Sequence, residues 1–579
     1  MFYTKDHKSI DMFDQFAFLG EKRRRLLDNS WAKIFREEIL HNLPADKLSG
    51  VYHEFFGRPT KEIYAMLGIM ILQQMEDLAD EEAVQQFAFN IKWHYALNVT
   101  NASDCHSYIC PKTLWTMRNI LCQQDLYTPL FQNVTAALAK AYEVDPTRQR
   151  MDSTHIFSNM RHLGRIGLFV KTIKKFLVNL HRHNKDLYAE LDKELLDRYT
   201  TKKGESVFSM VKPSESAKTL EEVGKDLFFL IERFKENADV SGMSSHQLMV
   251  RLLKEQCIVE ADVETHSKKV LVKSNKDVPS DSLQNPSDPD AGYSGHKGKG
   301  YQVQVMETYS PDKEKDQLSL ITHVAVEPAH KSDANALIPA IEDTSARDLK
   351  PAEVLADSLY GGDENCEQAR ELGVEVISPT MGSVKETSLT LNEFTLSPEK
   401  EITACPKGLA PIQIKKKTSG VRTAVFSKET CSGCAVLCDC PVKPGKRYHY
   451  FRYDDKALRL AQRRAREKTP EFKEKYRFRA GSEATMSALA RRTGIKRLRV
   501  RGLEAVSLAA TLKATGLNIL RAAAFKIREK RRKEAQRQNN PGFLDLILAF
   551  KEQISLATNV GRFFPYFYTE NRLAAHFAA

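Results

Sequence analysis

The chain has 579 residues, too many for one compact core, so we expect several domains or one domain with large insertions. Its formal net charge of +12 favours a polyanionic partner, because lysine and arginine side chains that neutralise phosphates release counterions. No apolar stretch reaches the roughly 18 residues that a membrane span needs, and no secretory signal pattern begins the chain. We therefore expect a cytoplasmic protein with no membrane partner, in which ten cysteines are reduced or bind metal.

The first part of the chain, residues 1–140, is expected to be a helical DNA-binding domain. Apolar residues recur at helical spacing between Arg58 and Leu97, and Asp80-Glu81-Glu82 provides the acidic first turn of a further helix. The apolar stripe consists of Ile63, Leu67, Met70, Ile71, Met75 and Leu78. The run Lys22-Arg23-Arg24-Arg25 gives this domain a basic edge.

The middle of the chain is expected to form a mixed sheet with helices on its faces. Hydrophobic alternation predicts half-buried strands at 301–305 and 318–326 that form a hairpin, and short apolar runs predict further strands. The other predicted elements are a strand at 149–156, a helix at 332–341, a buried strand at 354–357, a helix ending at 373 and a strand at 374–377.

Two insertions are expected to interrupt this domain, which spans residues 145–535. The first, at about 160–290, is charge-rich and helical and ends in a loop from Ser274 to Gly300. The second, at about 396–450, is rich in cysteine. A basic helical segment begins at Ala457, and residues 541–579 form a C-terminal tail.

Three carboxylates are candidates for a catalytic metal site. Asp152 lies within a predicted strand and Asp357 ends another, so the two converge at one sheet edge if these strands are neighbours. Glu483, on a helix predicted to begin near Ser482, is the third candidate. Cleavage of a phosphodiester needs metal ions held by such hard ligands. Taken singly, each carboxylate is more often a solvated or structural residue.

Several short motifs resemble those of a known family. They are M-D-S-T-H at 151–155, D-P-D-A at 288–291, H-K-G-K-G-Y at 296–301, A-D-S-L-Y-G at 356–361, R-A-G-S-E at 479–483 and R-V-R-G-L at 499–503. With these motifs the sequence resembles, over nearly its whole length, the DDE transposases of bacterial insertion sequences. The resemblance implies an α+β multidomain fold with a helical N-terminal domain and a ribonuclease-H-like catalytic domain.

The resemblance also implies a set of site residues and partners. Asp152, Asp357 and Glu483 would hold magnesium, which manganese can replace, and the DNA-binding residues would be Tyr476, Arg479, Arg491, Lys496 and Arg497. The related signature has a lysine seven residues after the glutamate, where this chain has Ala490, so Arg491 is the neighbouring substitute. The expected partners are double-stranded DNA, as terminal inverted repeats and as target, and further copies of the chain. The protein would be bacterial and associated with the nucleoid when active.

Other polar residues of the motifs are interpreted as structural. Asp288, His296, Lys297 and Tyr301 lie in segments whose composition is typical of turns, so we do not expect them to be catalytic. We expect His155 to satisfy a neighbouring backbone group rather than to touch substrate.

The cysteine-rich insertion predicts a structural zinc site. Tetrahedral zinc needs four thiolates, and five cysteines compete for these positions. The predicted ligands are Cys405, Cys431, Cys434 and Cys438, with Cys440 as the alternate. A redox role for the Cys431-Ser-Gly-Cys434 motif is less favoured, because no thioredoxin-like pattern surrounds it.

The expected function is therefore that of a transposase, which binds the terminal repeats of an insertion sequence, cleaves the DNA and joins its ends to target DNA by metal-dependent phosphoryl transfer. The alternative is a non-catalytic DNA-binding protein derived from a transposase. A structure-selective nuclease of the same fold is a further alternative, and it would differ by not joining ends.

Overall fold

The computed structural model describes residues 1–9, 14–53, 56–101, 103–261, 268–312, 317–382 and 389–539. The predicted tail at 541–579 lies outside these residues. Among the helices of the described residues, none is long and apolar enough to cross a bilayer.

The described residues of the N-terminal part form eight α-helices. They are α1 (Glu21–Asp28), α2 (Trp31–Ile34), α3 (Ile63–Met75), α4 (Asp80–Phe89), α5 (Ile91–Ala96), α6 (Asp104–Ser107), α7 (Pro111–Gln123) and α8 (Tyr127–Ala141). The acidic first turn of α4 is confirmed, with the Glu82 carboxylate accepting from the backbone of Ala79. The prediction of a one-sided stripe is wrong for α3, which is buried on nearly every side and lies at the centre of the helical core.

A strand and the first insertion follow. The strand is β1 (Arg148–Phe157), as predicted. The insertion contains α9 (Arg165–His183), α10 (Lys185–Ala189), α11 (Lys193–Thr200), α12 (Lys202–Ser209), α13 (Ser216–Phe234), α14 (Ala238–Ser241), α15 (Ser244–Gln256), β2 (Cys257–Ala261) and β3 (Lys268–Val272). Its helices pack around a separate apolar core, so the insertion has its own hydrophobic centre. The hairpin of β2 and β3 was not predicted, since the segment reads as helical.

Six strands form the central sheet in the part of the chain that the structure describes. In addition to β1, its elements are β4 (Gly292–Ser294), β5 (Gly298–Thr308), β6 (Ile321–Pro328), α16 (Leu337–Ser345), β7 (Glu353–Leu355), α17 (Asp363–Glu371) and β8 (Glu375–Ile377). Strands β6, β5 and β1 are antiparallel, whereas β7 and β8 continue the sheet parallel to β1. This topology confirms the expected ribonuclease-H-like sheet. The loop predicted between Ser274 and Gly300 contains β4 and the start of β5.

The second insertion folds as small sheets. Its elements are β9 (Thr395–Leu396), β10 (Ile402–Ala404), β11 (Gln413–Lys416), β12 (Arg422–Ser427), α18 (Lys428–Ser432), β13 (Lys443–Pro444) and β14 (Tyr448–Tyr453). Strands β11, β12, β14 and β13 form one antiparallel sheet, and β9 pairs with β10. Their apolar faces form a core together with the next helix of the chain, which contributes Leu458 and Ala461.

Four helices complete the described chain: α19 (Asp455–Glu467), α20 (Pro470–Tyr476), α21 (Gly481–Thr493) and α22 (Leu503–Asn539). Helices α21 and α22 cover one face of the central sheet, where Leu489 and Val506 pack with Val303 and Val305. Helices α16 and α17 cover the other face. Both faces of β5 are therefore buried, and the prediction of half-burial is wrong for this strand.

Candidate active site

The register of the central sheet places two aspartates at the same level. Strands β1 and β7 are parallel, and Arg150 pairs with Leu355. Asp152 and Asp357 each come two residues later, so they lie side by side where β7 ends. Sequence reasoning anticipated this arrangement from the positions of the two residues in their strands.

Asp152 is held by three donors. The backbone N–H of Ser153 donates to Oδ1 over 2.9 Å, and the Ser482 hydroxyl donates to Oδ2 over 2.7 Å. Nη2 of Arg479 also donates to Oδ2, at 3.1 Å. The Asp152 side chain is 13% exposed, so its carboxylate is fixed at the sheet edge while a small part faces solvent.

Asp357 is less well compensated. Burial raises the pKa of its carboxyl, and the like charges of Asp152 and Asp333 raise it further, whereas the backbone N–H of Leu359 and the Arg479 charge oppose this shift. Asp357 is thus a buried carboxylate beside a second negative charge, and both conditions disfavour its ionised form. A cation would relieve this repulsion.

Tyr476, Arg479 and Glu483 do not share one helix. Tyr476 ends α20, Arg479 lies in a 3-10 turn, and Glu483 lies in the first turn of α21. The three residues therefore lie on three successive elements, and the helix containing Glu483 begins one residue before the predicted start. Nη1 of Arg479 lies 3.7 Å from Oε1 of Glu483, whose side chain is 74% exposed. Arg479 thus bridges Asp152 and Glu483.

Tyr476 borders the same site. Burial raises the pKa of its hydroxyl, Arg479 opposes the shift, and the charges of Asp357 and Asp152 raise it further. Its ring stacks on Phe472, with centroids 5.5 Å apart. Tyr476 is therefore a wall of the site at the end of α20.

A buried charge network that sequence reasoning missed lies beneath these residues. Glu307 of β5 accepts from Arg150 at 2.7 Å, from Arg521 at 2.8 Å and from the Thr485 hydroxyl at 2.7 Å. Arg150 also donates to the Phe478 carbonyl at 2.9 Å. This network joins β1, β5, α21 and α22, so it fixes the helix of Glu483 against the strand of Asp152.

Gly481, the first residue of α21, makes the close approach of this helix possible. A Cβ atom at position 481 would lie 1.9 Å from Nη1 of Arg150. The R-A-G-S-E motif therefore contains a glycine because the helix start rests directly on the Arg150 guanidinium.

The loop that follows Asp357 is fastened by arginines of α19. Arg459 donates to both oxygens of Asp363, at 3.0 and 2.6 Å, and Arg463 donates to the Gly361 carbonyl at 2.8 Å. The basic face of α19 is thus engaged within the protein at these residues. Asp363, whose side chain is 7% exposed, is a structural carboxylate.

Residues of the D-P-D-A and H-K-G-K-G-Y motifs make structural contacts, except for one lysine that lies near the candidate site. Asp288 is fully buried and accepts from the Tyr301 hydroxyl at 2.5 Å and from the Gly502 N–H at 3.0 Å, in agreement with a structural role. Lys297 is the exception, because its Nζ lies 3.3 Å from the Ser153 hydroxyl, next to Asp152 in the chain. His155 is buried, and the backbone of Lys299 contributes a hydrogen bond that raises the pKa of its imidazole against the lowering effect of burial, so its surroundings agree with the expected contact to a neighbouring backbone group.

The remaining predicted DNA-binding residues lie on the surface. Arg491 is exposed near the end of α21, and Lys496 and Arg497 are exposed in the loop after it. The Lys496 carbonyl accepts from the N–H of Phe157, so this basic loop is attached to the end of β1.

Four cysteines surround a small cavity of about 200 Å³ in the second insertion: Cys405, Cys431, Cys434 and Cys440. Burial raises the pKa of the Cys431 thiol, and Cys440, Cys405 and Cys434, which line the same cavity, raise it further. Cys438 is exposed and does not line the cavity. The structure thus brings together three predicted ligands and the alternate, Cys440.

The carboxylate site and the cysteine-lined cavity contain ligands that suit different metals. Carboxylate oxygens at Asp152 and Asp357 suit a hard divalent cation, and clustered thiols suit zinc. Within the described part of the chain, no three His, Cys, Asp or Glu side chains form a ready-made metal cage. At the carboxylates, Glu483 faces solvent and Arg479 takes one oxygen of Asp152.

Comparisons with known proteins give two matches. A family model described as transposase DDE domain matches residues 404–523, and one described as transposase domain (DUF772) matches residues 23–119. The first match contains Glu483, and the second runs from within α1 to within α7. No curated protein and no solved structure gives a significant match.

Proposed function

Because this chain belongs to the DDE transposase family and is an enzyme that cuts and joins DNA strands, we propose that it acts on the terminal inverted repeats of an insertion sequence. It would hydrolyse a strand at the repeat, and the freed 3′-hydroxyl would attack target DNA. Both steps transfer a phosphoryl group, so positioning and charge dominate the catalysis.

The register of Asp152 beside Asp357 carries this proposal. We infer that these aspartates and Glu483 hold magnesium, or manganese in its place. Magnesium supplies the positive charge that stabilises the attacking and leaving oxygens at the phosphate. The position of Asp357 supports this role, because its carboxyl is buried beside the negative charge of Asp152, and a bound cation would offset both charges.

Each neighbouring side chain has a role that follows from its position. Arg479 contacts Asp152 and Glu483, so it holds the two carboxylates in place and offers a guanidinium to a phosphate oxygen. Tyr476 forms a wall for the strand that enters the site. The exposed Arg491, Lys496 and Arg497 bind the DNA backbone beyond the site.

Recognition of the repeat is assigned to the helical residues 1–140, and the active form to an oligomer of the chain on DNA. Joining both ends of one element requires two active sites held together. The non-catalytic alternative is disfavoured because all three acidic positions are filled.

The proposal is tested with the full chain and DNA carrying the flanking repeats of its own locus. Magnesium and manganese should support cleavage and joining, whereas calcium, with looser and longer coordination, should support binding but little chemistry. Cleavage without joined products would instead identify a nuclease. Binding without cleavage in either active metal would favour the non-catalytic alternative.

We further propose that the second insertion binds one structural zinc ion through Cys405, Cys431, Cys434 and Cys440. The shared cavity supports this set, as do the raised pKa values of the Cys431 and Cys440 thiols, which burial raises most and neighbouring thiols raise further. The exposure of Cys438 makes it the poorer fourth ligand.

A further inference from the structure

Helix α7 presents a polar face to solvent at the surface of the N-terminal helices. Its opposite face is fixed in the helical core, where Leu114, Met117 and Leu121 are buried. The residues on the outer face recur at i, i+4, i+7 and i+11, which is the spacing of one stripe along a helix. They are Lys112, Thr116, the half-buried Asn119 and Gln123, with Trp115 beside them.

Trp115 is the largest side chain of this outer face. It is 57% exposed, although tryptophan is mostly buried in folded proteins. Its ring offers a large apolar contact area, and its indole N–H is a hydrogen-bond donor. Tryptophan is enriched in surfaces that bind partners for this reason. The position of Trp115 therefore indicates that the outer face of α7 binds a partner.

The charge of this segment fits a polyanionic partner. Residues 105–124 contain no aspartate or glutamate, whereas Lys112 and Arg118 are cationic. Arg118 lies on the inner side of α7, where it donates to Asp80 at 2.6 Å. Lys112 is exposed in the first turn, where the positive end of the helix dipole adds to its charge. The outer face of α7 therefore consists of positive charge and neutral side chains.

Helix α7 also adjoins the basic loop that is proposed to bind DNA beyond the active site. It packs against α22, and its last turn lies beside the first turn of that helix. Burial raises the pKa of the Cys122 thiol at this point, and the charge of Glu504 raises it further. The chain enters the first turn of α22 directly from the loop of Lys496 and Arg497. The end of α7 and this loop are therefore neighbours, so one bound duplex can contact both.

We propose that α7 is a recognition helix that lies in the major groove of the terminal repeat. The inference rests on the proposed function, since it names the element and the side chains that read the repeat. The major groove is about 12 Å wide, so it admits an α-helix, and it displays a distinct pattern of donors and acceptors for each base pair. The Asn119 amide would pair with N6 and N7 of an adenine, and the Lys112 ammonium would donate to N7 and O6 of a guanine.

Two further side chains of the outer face complete the contact. The Thr116 hydroxyl donates to the Lys112 carbonyl at 2.9 Å, and its methyl group would contact a thymine methyl. The Trp115 indole N–H would donate to a phosphate oxygen at the edge of the groove, which positions the helix without reading a base.

The recognition helix is tested by measuring equilibrium binding of the full chain in calcium, which requires no cleavage. The probe is a duplex of the element's own end, in which single purines are replaced one at a time by 7-deazapurines. These bases lack the N7 acceptor of the major groove but keep Watson–Crick pairing. For the wild-type chain, replacement of the adenine or of the guanine that α7 contacts should weaken binding about fivefold.

The Asn119→Ala variant should bind the unmodified duplex about tenfold more weakly and lose its sensitivity to the 7-deazaadenine, while it keeps the sensitivity to the 7-deazaguanine. Lys112→Ala should show the reverse pattern. Gln85→Ala is the matched control, since Gln85 is an exposed amide on the neighbouring helix α4, and it should behave as wild type. An unchanged purine profile in both Asn119→Ala and Lys112→Ala would overturn the recognition helix, even if the wild-type chain cleaves DNA.

A wild-type chain that shows the purine profile but never cleaves would contradict the proposed function and leave the recognition helix supported. A second copy of the chain is the alternative occupant of the outer face, and Trp115→Ala distinguishes it from DNA. This variant should bind every duplex about fivefold more weakly and keep the oligomeric state of the DNA-free chain, measured by analytical ultracentrifugation. Dissociation of a DNA-free oligomer by Trp115→Ala, with unchanged affinity for DNA, would overturn the proposal and assign the face to contact between copies.

Discussion

At the scale of single residues, the structure distinguishes most clearly between two cysteines that could be the fourth zinc ligand. Cys440 lines the cavity with Cys405, Cys431 and Cys434, whereas Cys438, two residues earlier, faces solvent. Zinc bound by four thiolates stabilises a small fold of this kind, because the metal binds only to the folded arrangement.

We predict that Cys440→Ser and Cys434→Ser lose zinc, while Cys438→Ser retains about one zinc per chain. Elemental analysis of the purified full chain measures this directly, and thermal unfolding should show a lower midpoint only for the variants that lose metal. Retention of zinc by Cys440→Ser together with loss by Cys438→Ser would restore the ligand set expected from sequence.

Sequence reasoning identified residues whose own segment has a clear signature. Asp152 and Asp357 could be found because each lies at a definite place in a short apolar strand. Glu307 and Lys297 could not, since their partners are far away in the chain: Arg150 and Arg521 for Glu307, and Ser153 for Lys297. Cys438 was chosen over Cys440 because spacing alone does not show which thiol faces inward.

At the scale of elements, the buried carboxylate of Glu307 connects β1, β5, α21 and α22. Burial opposes the ionisation of Glu307, but the charges of Arg521 and Arg150 and the Thr485 hydroxyl outweigh it and hold the pKa below the ordinary value of 4.5. The side chain is 2% exposed. Its loss would leave two arginines facing each other without a counter-charge.

We predict that Glu307→Gln lowers the free energy of unfolding by about 3 kcal/mol at neutral pH, measured by urea denaturation. Because the folded-state pKa is lowered, the stabilising contribution is present above the ordinary pKa and is lost as the pH falls through the folded-state value. The difference in free energy of unfolding between the wild-type chain and Glu307→Gln should therefore become smaller at acidic pH. Glu342→Gln, an exposed change on α16, is the control, and an equal loss of stability in both variants would contradict this account.

The strands and helices were predicted best where periodicity is strong. The β5–β6 hairpin and β7, α17 and β8 lie where alternation and short apolar runs placed them. Leu318 and Leu320 were assigned to a strand, but they precede β6 and pack into the N-terminal helical core. Their apolar side chains predict that they are buried. Which hydrophobic core they join is visible only in the tertiary structure.

At the scale of the whole molecule, α22 belongs to two cores at once. Leu508, Leu512 and Ile519 pack with the N-terminal helices, whereas Val506 and Leu517 pack on the central sheet. The buried Lys513 ammonium donates to Asp77 at 2.7 Å, at the turn after α3. The N-terminal helices are thus joined to the central sheet through one helix.

We predict that a fragment of residues 1–141 does not unfold cooperatively, because without α22 its core is open to water. Circular dichroism during heating of the fragment and of the full chain tests this. A sharp unfolding transition of the isolated fragment would show that its helices are self-sufficient, and repeat binding could then be studied without the catalytic domain.

The central claim is that Asp152, Asp357 and Glu483 provide the metal-binding carboxylates of a strand-cleaving site. Each of Asp152→Asn, Asp357→Asn and Glu483→Gln removes a charge while nearly preserving side-chain shape. Glu504→Gln is the matched control, since Glu504 is exposed in the first turn of α22.

The most direct measurement is the single-turnover rate of cleavage at the element's end in magnesium, with DNA binding measured in parallel. The three site variants should bind DNA as wild type does and cleave it slower by a factor on the order of a thousand, because several kcal/mol of charge stabilisation is lost. Glu504→Gln should cleave at the wild-type rate. Undiminished cleavage by Asp152→Asn or Asp357→Asn would contradict the account, and undiminished cleavage by Glu483→Gln would show that the third ligand is a different carboxylate.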